Sequence, residues 1–581
     1  MERVTIELTS GQGAATAWKG INWPARECLV RRLQERIFRN AQRGRWKAAK
    51  NLQKLLARSE SAKLLAIRRV TQENSGKRTP RIDGKTYLTP ESRWKWSQEE
   101  KFCLKGYQPR PAKRAYVPKS SGGKRPLGIP VMKDRAMEAI AKMVMEPEFE
   151  VKFEPNSFGF RPGRSCWDAI EQLRNCITRK AGQESSSVVL DADIAGCFDN
   201  IAHEPLLERI PAHFRGAVRR WLKAGAVEFE HYEPTVAGTP QGGVISRLLA
   251  NVALDGIERI FGIEDQDGNY LSPSDRPGNK GISLVRYADD FLVFARNPYE
   301  VEWYVRPKLQ RFLAGRGLAL SEVKTRITTR AKGFNFLGFT VRQVRTKYHK
   351  ILLVTPQKEK VKHMLARVGA ILSANKQATV EGIIRLLNPA IRGWALYYSH
   401  CNAKRTFSSV DCQVFKKVWR WCKRRHPDKG KGWVKDRYFL TIGRRHWVFG
   451  ETPALCLTSA AGVPITRHVK VRGYASPYDP ALKDYWNQRA ARKIEERYLS
   501  KKKKVILGAQ GYQCWRCGRA LREEDAIHFH HKIPRCKGGQ GGTSNLCAAH
   551  RYCHQQFHKH SDYPLPNGRG NAAQEEGHSD V

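Results

Sequence analysis

Tyr287-Ala288-Asp289-Asp290 lies between an apolar run (Ile282, Leu284, Val285) and a second one, Phe291-Leu292-Val293-Phe294. Two acidic residues between strand-like apolar runs read as a tight hairpin whose turn carries adjacent carboxylates. An Asp-Asp pair at a β-turn also has an ordinary reading, as solvated turn chemistry. A second acidic strand upstream, Val188-Val189-Leu190-Asp191-Ala192-Asp193-Ile194, shifts the balance. Chemistry that uses two metal ions to activate a primer 3′-hydroxyl and stabilise departing pyrophosphate needs carboxylates from separate strands at one point. Both halves of such an arrangement are present.

The bulk numbers agree. The chain has 581 residues, enough for three or four domains, and 104 Lys+Arg against 55 Asp+Glu give a formal net charge of +49. That excess is too large for a few local patches and implies a polyanionic partner, most simply nucleic acid. An anionic membrane surface is the rival. Mean hydropathy is −0.57, however, and no apolar stretch approaches the roughly 18–20 residues a spanning helix needs. The start, Met1-Glu2-Arg3-Val4-Thr5, does not read as a signal peptide. The fourteen cysteines are scattered except for a cluster beginning at Cys514, which fits a reduced cytoplasmic protein with a local metal site.

Along the chain, residues 25–66 are expected to form two amphipathic helices. Leu29, Leu33 and Ile37, then Leu52, Leu55 and Leu56, provide the apolar faces. Turn chemistry marks Pro80-Arg81-Ile82-Asp83-Gly84. From Tyr107 to Phe339 strands and helices alternate. Between about Lys358 and Trp433 the period becomes helical, with Trp394, Tyr397, Tyr398, Trp419 and Trp421 among Arg and Lys. Residues 450–500 are basic and less periodic, and Ser500-Lys501-Lys502-Lys503-Lys504 marks a boundary. Cys514-Trp515-Arg516-Cys517 with His550-Arg551-Tyr552-Cys553 has the spacing of a tetrahedral zinc site, although Cys547 or Cys536 could replace His550. The Gly-, Asn- and acid-rich last twenty residues read as a disordered tail.

Five motifs then appear in a recognisable order. Arg114-Ala115-Tyr116-Val117-Pro118-Lys119 with Gly122 to Pro130 comes first, then Ser157 to Cys166. Asp193-Ile194-Ala195-Gly196-Cys197-Phe198-Asp199 follows, then Gly238-Thr239-Pro240-Gln241-Gly242-Gly243-Val244-Ile245-Ser246, and finally Tyr287-Ala288-Asp289-Asp290. From about residue 18 to residue 560 the chain resembles bacterial group II intron-encoded proteins, reverse transcriptases and maturases with a terminal nuclease domain. The resemblance implies that Asp193 and Asp289 hold two Mg²⁺ ions, with Asp290 in support and the Ile194 carbonyl as a further ligand. It implies that Lys119 and Arg125 clamp the incoming triphosphate and that Phe198 excludes a ribose 2′-hydroxyl, although Phe198 also reads as a core aromatic. Gln241 and Gly242 are expected to line the nascent base pair. Lys324 is expected to donate a proton to pyrophosphate, or else to be an ordinary surface lysine. Phe334-Asn335-Phe336-Leu337-Gly338-Phe339 resembles a primer-grip hairpin. Leu387 to Tyr398 and Trp419 to Pro427 resemble the family's thumb-like maturase domain, whose cations and rings suit folded RNA. About half of those aromatics are expected in the core.

The terminal cluster resembles an HNH nuclease of the ββα-metal type. In such a site His530, His554 and His558 hold one divalent ion. His531 activates the attacking water, and Asn545 orients the loop bearing that base. A zinc ribbon that binds DNA without cutting it is the plainer alternative. Two positions depart from the family pattern. Arg247 stands where Pro usually follows Ile-Ser, and Arg81 replaces a customary Gly. Were φ > 0 required at Arg81, it would cost roughly 1–2 kcal/mol.

The expected architecture is therefore multidomain, α/β and α, with right-hand polymerase fingers and palm, a helical thumb/maturase domain and a small zinc-containing ββα-metal domain. Residues 1–85 are read as a helical RNA-binding extension, 86–345 as fingers and palm, and 346–445 as thumb/maturase. Residues 446–504 are read as a basic DNA-binding region and linker, 505–562 as the endonuclease, and 563–581 as the tail. The resemblance implies intron RNA, target DNA and deoxynucleotides as partners, and location with the bacterial nucleoid as a ribonucleoprotein. Competing readings are a splicing-only maturase with an impaired polymerase, a nuclease using the rest of the chain for targeting, and a retron-like or diversity-generating reverse transcriptase.

Overall fold

The computed structural model describes residues 11–118, 123–178, 188–229, 231–263, 271, 282–348, 350–497, 500–522, 525–534 and 538–558. An antiparallel sheet with strand order Ser283–Tyr287, Asp290–Ala295, Val188–Ala192, Arg326–Thr329 divides two cores. Alternation along its strands decides which residue enters which core. Leu190, Leu284, Phe291 and Val293 join the side chains of helix Met132–Lys152. Val189, Val285, Leu292 and Phe294 join helix Cys166–Thr178 and the helices that follow residue 358. With both faces covered, the strands read as unbroken apolar runs rather than as alternating ones.

Four helices, Gly11–Gly20, Trp23–Gln42, Trp46–Ala57 and Glu60–Arg68, pack against the first core. The span expected as two helices thus holds three. Gly44, at φ +66°, supplies the left-handed residue that ends the first, and Arg58-Ser59 separates the next pair. The apolar stripe is also narrower than the sequence suggests: Leu33, Ile37, Leu52 and Leu56 are buried, whereas Leu29 and Leu55 are exposed. Nearby, a second sheet orders Lys124–Ile129, Ala112–Pro118, Ala226–Glu228 and His231–Glu233. The first two pair as an antiparallel hairpin.

After the strands Phe339–Arg345 and Lys350–Pro356 come helices Lys358–Ala374, Val380–Tyr397, Lys404–Arg425 and Lys431–Tyr438. Of the five aromatics singled out there, Tyr398 and Trp421 are buried and Trp394, Tyr397 and Trp419 are half-buried. Two of the five are therefore core, close to the expected half, and the other three pack partly buried against the second core.

Between residues 450 and 480 there is little regular secondary structure, yet Ala460, Val463, Val471 and Ala475 are buried in the second core. The anchor is Asp168, whose side chain is fully buried. Its carboxylate accepts from the Ser165 and Val471 amides at 2.8 Å and lies 2.9 Å from His468 Nε2 and 2.5 Å from Arg489 Nη2. Burial pushes this carboxyl up, but the hydrogen bond from His468 and the Arg489 charge outweigh it and hold it well below the usual range. The stability this contributes is complete above the ordinary Asp pKa and is lost only as pH falls through the depressed one. Asp168→Ala leaves the Arg489 guanidinium, itself buried, without its partner. It is expected to cost about 3–5 kcal/mol and to open residues 456–489 to proteolysis, which thermal melts and limited digestion will read.

At the far end, strands Ile527–His531 and Leu546–His550 pair antiparallel and lead into helix Arg551–Phe557. Their small core includes Cys514, Leu521, Ala548 and Ala549. It also includes Ile506 and Leu507 from helix Lys501–Ala509, so the lysine run is the first turn of a helix belonging to this unit. The expected tail, 563–581, lies outside the described residues. Among the described residues no helix is long and apolar enough to cross a membrane, and the described cysteines are all free.

Candidate polymerase and nuclease sites

Tyr287 pairs with Asp290, so Ala288-Asp289 is a two-residue turn. Ala288 takes φ +60°, a left-handed conformation that Ala rarely adopts. What holds it is underneath. Arg286 is fully buried and donates to the Ala288 carbonyl at 3.3 Å and to Asn251 Oδ1 at 3.2 Å. The Asn251 amide donates to the Gly159 carbonyl at 2.8 Å, and a Cβ on Gly159 would sit 2.3 Å from the Ala288 nitrogen. Glycine is therefore the residue that lets the Phe158-Gly159-Phe160 segment close against the turn. Arg286, Asn251 and Gly159 are supports that periodicity could not reveal. Asn251 and Gly159 come from segments distant in sequence, and Arg286 reads as one polar residue in an apolar strand.

In the neighbouring pair Ala192 lies opposite Phe291, and one further step along that register sets Asp193 beside Asp290. Burial, followed by the charges of Asp289, Asp193 and Asp191, pushes the Asp290 carboxyl up to about 7. Burial and the Asp193 charge raise Asp191 to about 6, and Asp289 is raised as well, mainly by burial. Clustered like charges at the edge of the core form a donor set that fits divalent cations, whose charge removes the repulsion. Lys324 Nζ approaches Asp193 Oδ2 at 2.7 Å, and this hydrogen bond raises the ammonium pKa. Ile194 is buried. Its bridge to Leu320 is closed through the Asp193 and Ala319 carbonyls, which leaves the Ile194 carbonyl outside it.

Around the carboxylates, the Gly238–Ser246 loop is bolted to its neighbours. Thr239 N donates to Phe198 O at 2.6 Å, Gly242 N to Gly128 O at 3.1 Å, and Arg135 Nη1 to Gly242 O at 2.7 Å. A Cβ on Gly242 would meet the Gly128 oxygen at 2.4 Å, so that position also requires glycine. Phe198 and Gln241 line a cleft of about 460 Å³ together with Tyr116 and Pro126. Phe198 meets Phe160 edge-on at 6.3 Å, and the Gln241 amide lies 3.3 Å from Asp199 Oδ1. Arg125 is exposed on the hairpin, and its charge acts on Asp289. Lys119 lies outside the described residues.

Both departures from the family pattern are accommodated. Arg247 is exposed in the first turn of helix Ser246–Leu254 and lies 5.2 Å over the Phe160 ring. Arg81 does not have positive φ; in that loop the left-handed position is Gly84. The anticipated strain is therefore absent. The Arg81 side chain is buried and ties the loop together by donating to the Thr79 and Gly76 carbonyls.

In the terminal unit Cys514, Cys517, His550 and Cys553 present ligand atoms all within 4.8 Å of one another. His550 turns Nδ1 toward Cys517 Sγ at 3.4 Å, and its Nε2 lies 3.3 Å from Asp525. A carboxylate on the outer nitrogen is how metal-binding histidines are oriented. Hydrogen bonding among these thiols lowers Cys517 and raises Cys553, so the group holds a shared proton that a metal would displace. Cys547 is turned elsewhere, its thiol directed at the His530 carbonyl at 3.6 Å. Cys536 lies outside the described residues.

His530, His554 and His558 form a second group within the same 4.8 Å limit. Burial, with the neighbouring imidazoles, lowers His530 and His554 to about 4, so both rings are neutral near pH 7, as metal ligands must be. His528 Nδ1 sits 3.4 Å from His554 Nδ1 and orients that ring, a role the sequence reading missed. Its position two residues before His530, on the same strand face, was the available signal. His531 is not in the cluster; alternation places it on the opposite strand face. Asn545 pins the segment that follows His531. Its side chain accepts from Ile533 N at 2.8 Å and donates to the Ile533 and Gln540 carbonyls at 3.0 and 2.8 Å.

Carboxylates converging from adjacent strands beneath a glycine-lined loop define a metal-dependent nucleic-acid polymerase. Histidines gathered on a ββα unit define a metal-dependent nuclease. The family comparisons agree. Residues 117–341 match the reverse transcriptase (RNA-dependent DNA polymerase) family, and residues 18–99 the N-terminal domain of reverse transcriptase. Residues 361–439 match the group II intron maturase-specific domain, and residues 514–560 the HNH endonuclease family. Protein YkfC of Escherichia coli is 31% identical over 331 residues, which cover 52% of this chain and 87% of YkfC. Group II intron-encoded protein LtrA of Lactococcus lactis is 29% identical over 290 residues, 41% of this chain and 47% of LtrA, so this match spans about half of that relative. Maturase-like protein 1 of Euglena gracilis is 25% identical over 388 residues, 66% of this chain and 77% of the relative. The chain belongs to the group II intron-encoded proteins, combining reverse transcriptase and maturase domains with an HNH endonuclease domain.

Proposed function

We propose that the protein binds the RNA of its own intron, assists its splicing, and supports its mobility by nicking target DNA and copying the RNA into DNA. The observation that carries the polymerase part is the strand register that sets Asp193 beside Asp289-Asp290. Asp193 and Asp289 would hold two Mg²⁺ ions, with Asp290 and the Ile194 carbonyl in support; bound there, such ions would supply activation of a primer 3′-hydroxyl and stabilisation of a leaving pyrophosphate. The protein's own groups do the rest. Lys119 and Arg125 clamp the triphosphate, and Phe198, kept in place by Phe160, excludes a ribose 2′-hydroxyl. Gln241 and Gly242 line the nascent base pair. Lys324, already hydrogen-bonded at Asp193, is within the site as a proton donor to pyrophosphate.

In the terminal domain the three-Cys, one-His group holds structural zinc, and His530, His554 and His558 hold one divalent ion. His531 accepts the proton of the attacking water, with Asn545 positioning the segment beside it. The helices after residue 358 act as thumb and RNA-binding surface within residues 346–445. Residues 1–85 extend that surface, 86–345 form fingers and palm, 446–504 contact DNA, and 505–562 cut it. The working location is the nucleoid, within a ribonucleoprotein.

RNA-templated primer extension by the purified protein, with deoxynucleotides and Mg²⁺, tests the reading. Incorporation of template-directed deoxynucleotides is the expected result. No extension with RNA binding retained would overturn the polymerase role and favour a splicing-only maturase.

A further inference from the structure

On helix Lys404–Arg425, Phe415 and Trp419 stand four residues apart and meet Trp447 of strand Arg445–Phe449. The Trp419 and Trp447 rings are 5.5 Å apart at 63°, and with Phe439 they wall a cleft of about 630 Å³. That volume falls in the roughly 300–1,000 Å³ range of small-ligand sites. Trp447 is 42% exposed and has φ +57°, a backbone conformation that bulky side chains rarely adopt. The irregular hairpin that carries it shifts register between Leu440 and Ile442. A strained residue that keeps a large ring partly in solvent is not explained by core packing, since Val448 and Phe449 beside it are fully placed inside.

The rim is cationic. Lys416, Arg420 and Lys423 are exposed on the helix, Arg444 and Arg445 are exposed on the hairpin, and Lys435 Nζ lies 5.7 Å from the Trp447 ring. Of the acidic groups nearby, Asp411 is engaged and Asp436 is exposed. Asp411 accepts from Ser459 Oγ at 2.5 Å and from the Ala460 and Ala461 amides, and Asp436 lies 4.0 Å from Lys435. An aromatic cleft with a positive border fits a flat ring flanked by phosphates.

We propose that this cleft receives one unpaired base of bound RNA, stacked on Trp447 beside Trp419, with its flanking phosphates at Arg445 and Lys435. The choice of RNA rests on the maturase reading above, because Phe415, Trp419, Lys435 and Phe439 lie within the matched residues 361–439, while Trp447 closes the cleft from the adjoining segment that the same reading gives to DNA. Stacking tolerates any base, so the cleft contributes affinity and register rather than sequence selection.

The test uses the full-length protein, a fluorescein-labelled 12-nucleotide oligoadenylate RNA, and the variants Trp447→Leu and Trp447→Tyr. Trp447→Leu is expected to weaken binding about tenfold, and Trp447→Tyr to stay within about threefold. The salt dependence should be unchanged in both, because no phosphate contact is removed. Equal binding by Trp447→Leu and the unaltered protein overturns the cleft and leaves the maturase reading standing. Loss in both variants with a lowered thermal midpoint assigns Trp447 to packing and also overturns it. Tighter binding of deoxyadenylate than of RNA, lost in Trp447→Leu, overturns the RNA assignment in favour of single-stranded DNA. An unaltered protein that binds neither oligoadenylate nor its folded intron RNA overturns the maturase reading and the cleft together.

Discussion

Asp289→Ala is expected to lower RNA-templated DNA synthesis about 10⁴-fold while leaving RNA affinity nearly unchanged. Loss of a metal-holding carboxylate removes several kcal/mol of transition-state stabilisation, and each ~1.4 kcal/mol is a factor of ten in rate. The fold should not suffer. Asp289 is one of the charges that push Asp290 upward, so its removal relieves repulsion among the clustered carboxylates. The thermal midpoint of the variant is therefore expected to equal or exceed that of the unaltered protein, an ordinary exchange of activity for stability at a charged site. Single-turnover primer extension, filter binding to intron RNA and a melt separate these effects. Equal loss of synthesis, RNA binding and splicing assistance would defeat the assignment of separate functions to separate domains.

His531→Ala is expected to slow nicking of the second DNA strand by about 10²–10⁴, the range for loss of a general base, with primer extension unaffected. His528 and His530 lie on the other strand face, His554 and His558 come from the helix segment, and Asn545 holds its segment through backbone groups of Ile533 and Gln540. Metal content should consequently be preserved, which elemental analysis of the purified variant will check. Nicking at the unaltered rate would remove His531 as the base, whatever the metal content.

Much of the site was legible because its chemistry is local. Adjacent carboxylates between two apolar runs become a turn whenever both runs are strands, and Tyr287 pairs with Asp290 accordingly. Cys-x-x-Cys and His-x-x-Cys bring ligands together by short-range geometry alone, and four residues on a helix align His554 with His558. The N-terminal helices were harder. The apolar sets Leu29–Ile37 and Leu52–Leu56 separate into two helices at Gly44 as expected, but Arg58-Ser59 starts a third, and backbone conformation alone marks that break. At Arg81 the sequence does not state φ, so a cost followed only if the position were left-handed, and that role belongs to Gly84.

By itself the sequence determined the order of motifs, the candidate carboxylate and imidazole donors, and a charge balance that points to a polyanionic partner, while leaving open which residue completes the thiolate group. Those follow from residue chemistry and from periods of two and four residues. Tertiary structure alone decided that Asp193 lies beside Asp290, that Arg286 and Gly159 support a strained Ala288, and that residues 450–480 are tied to Asp168 rather than free. Each depends on which distant segments become neighbours. That choice is made by two cores closing on opposite faces of one sheet, where burial, repulsion and hydrogen bonding act between residues far apart in the sequence.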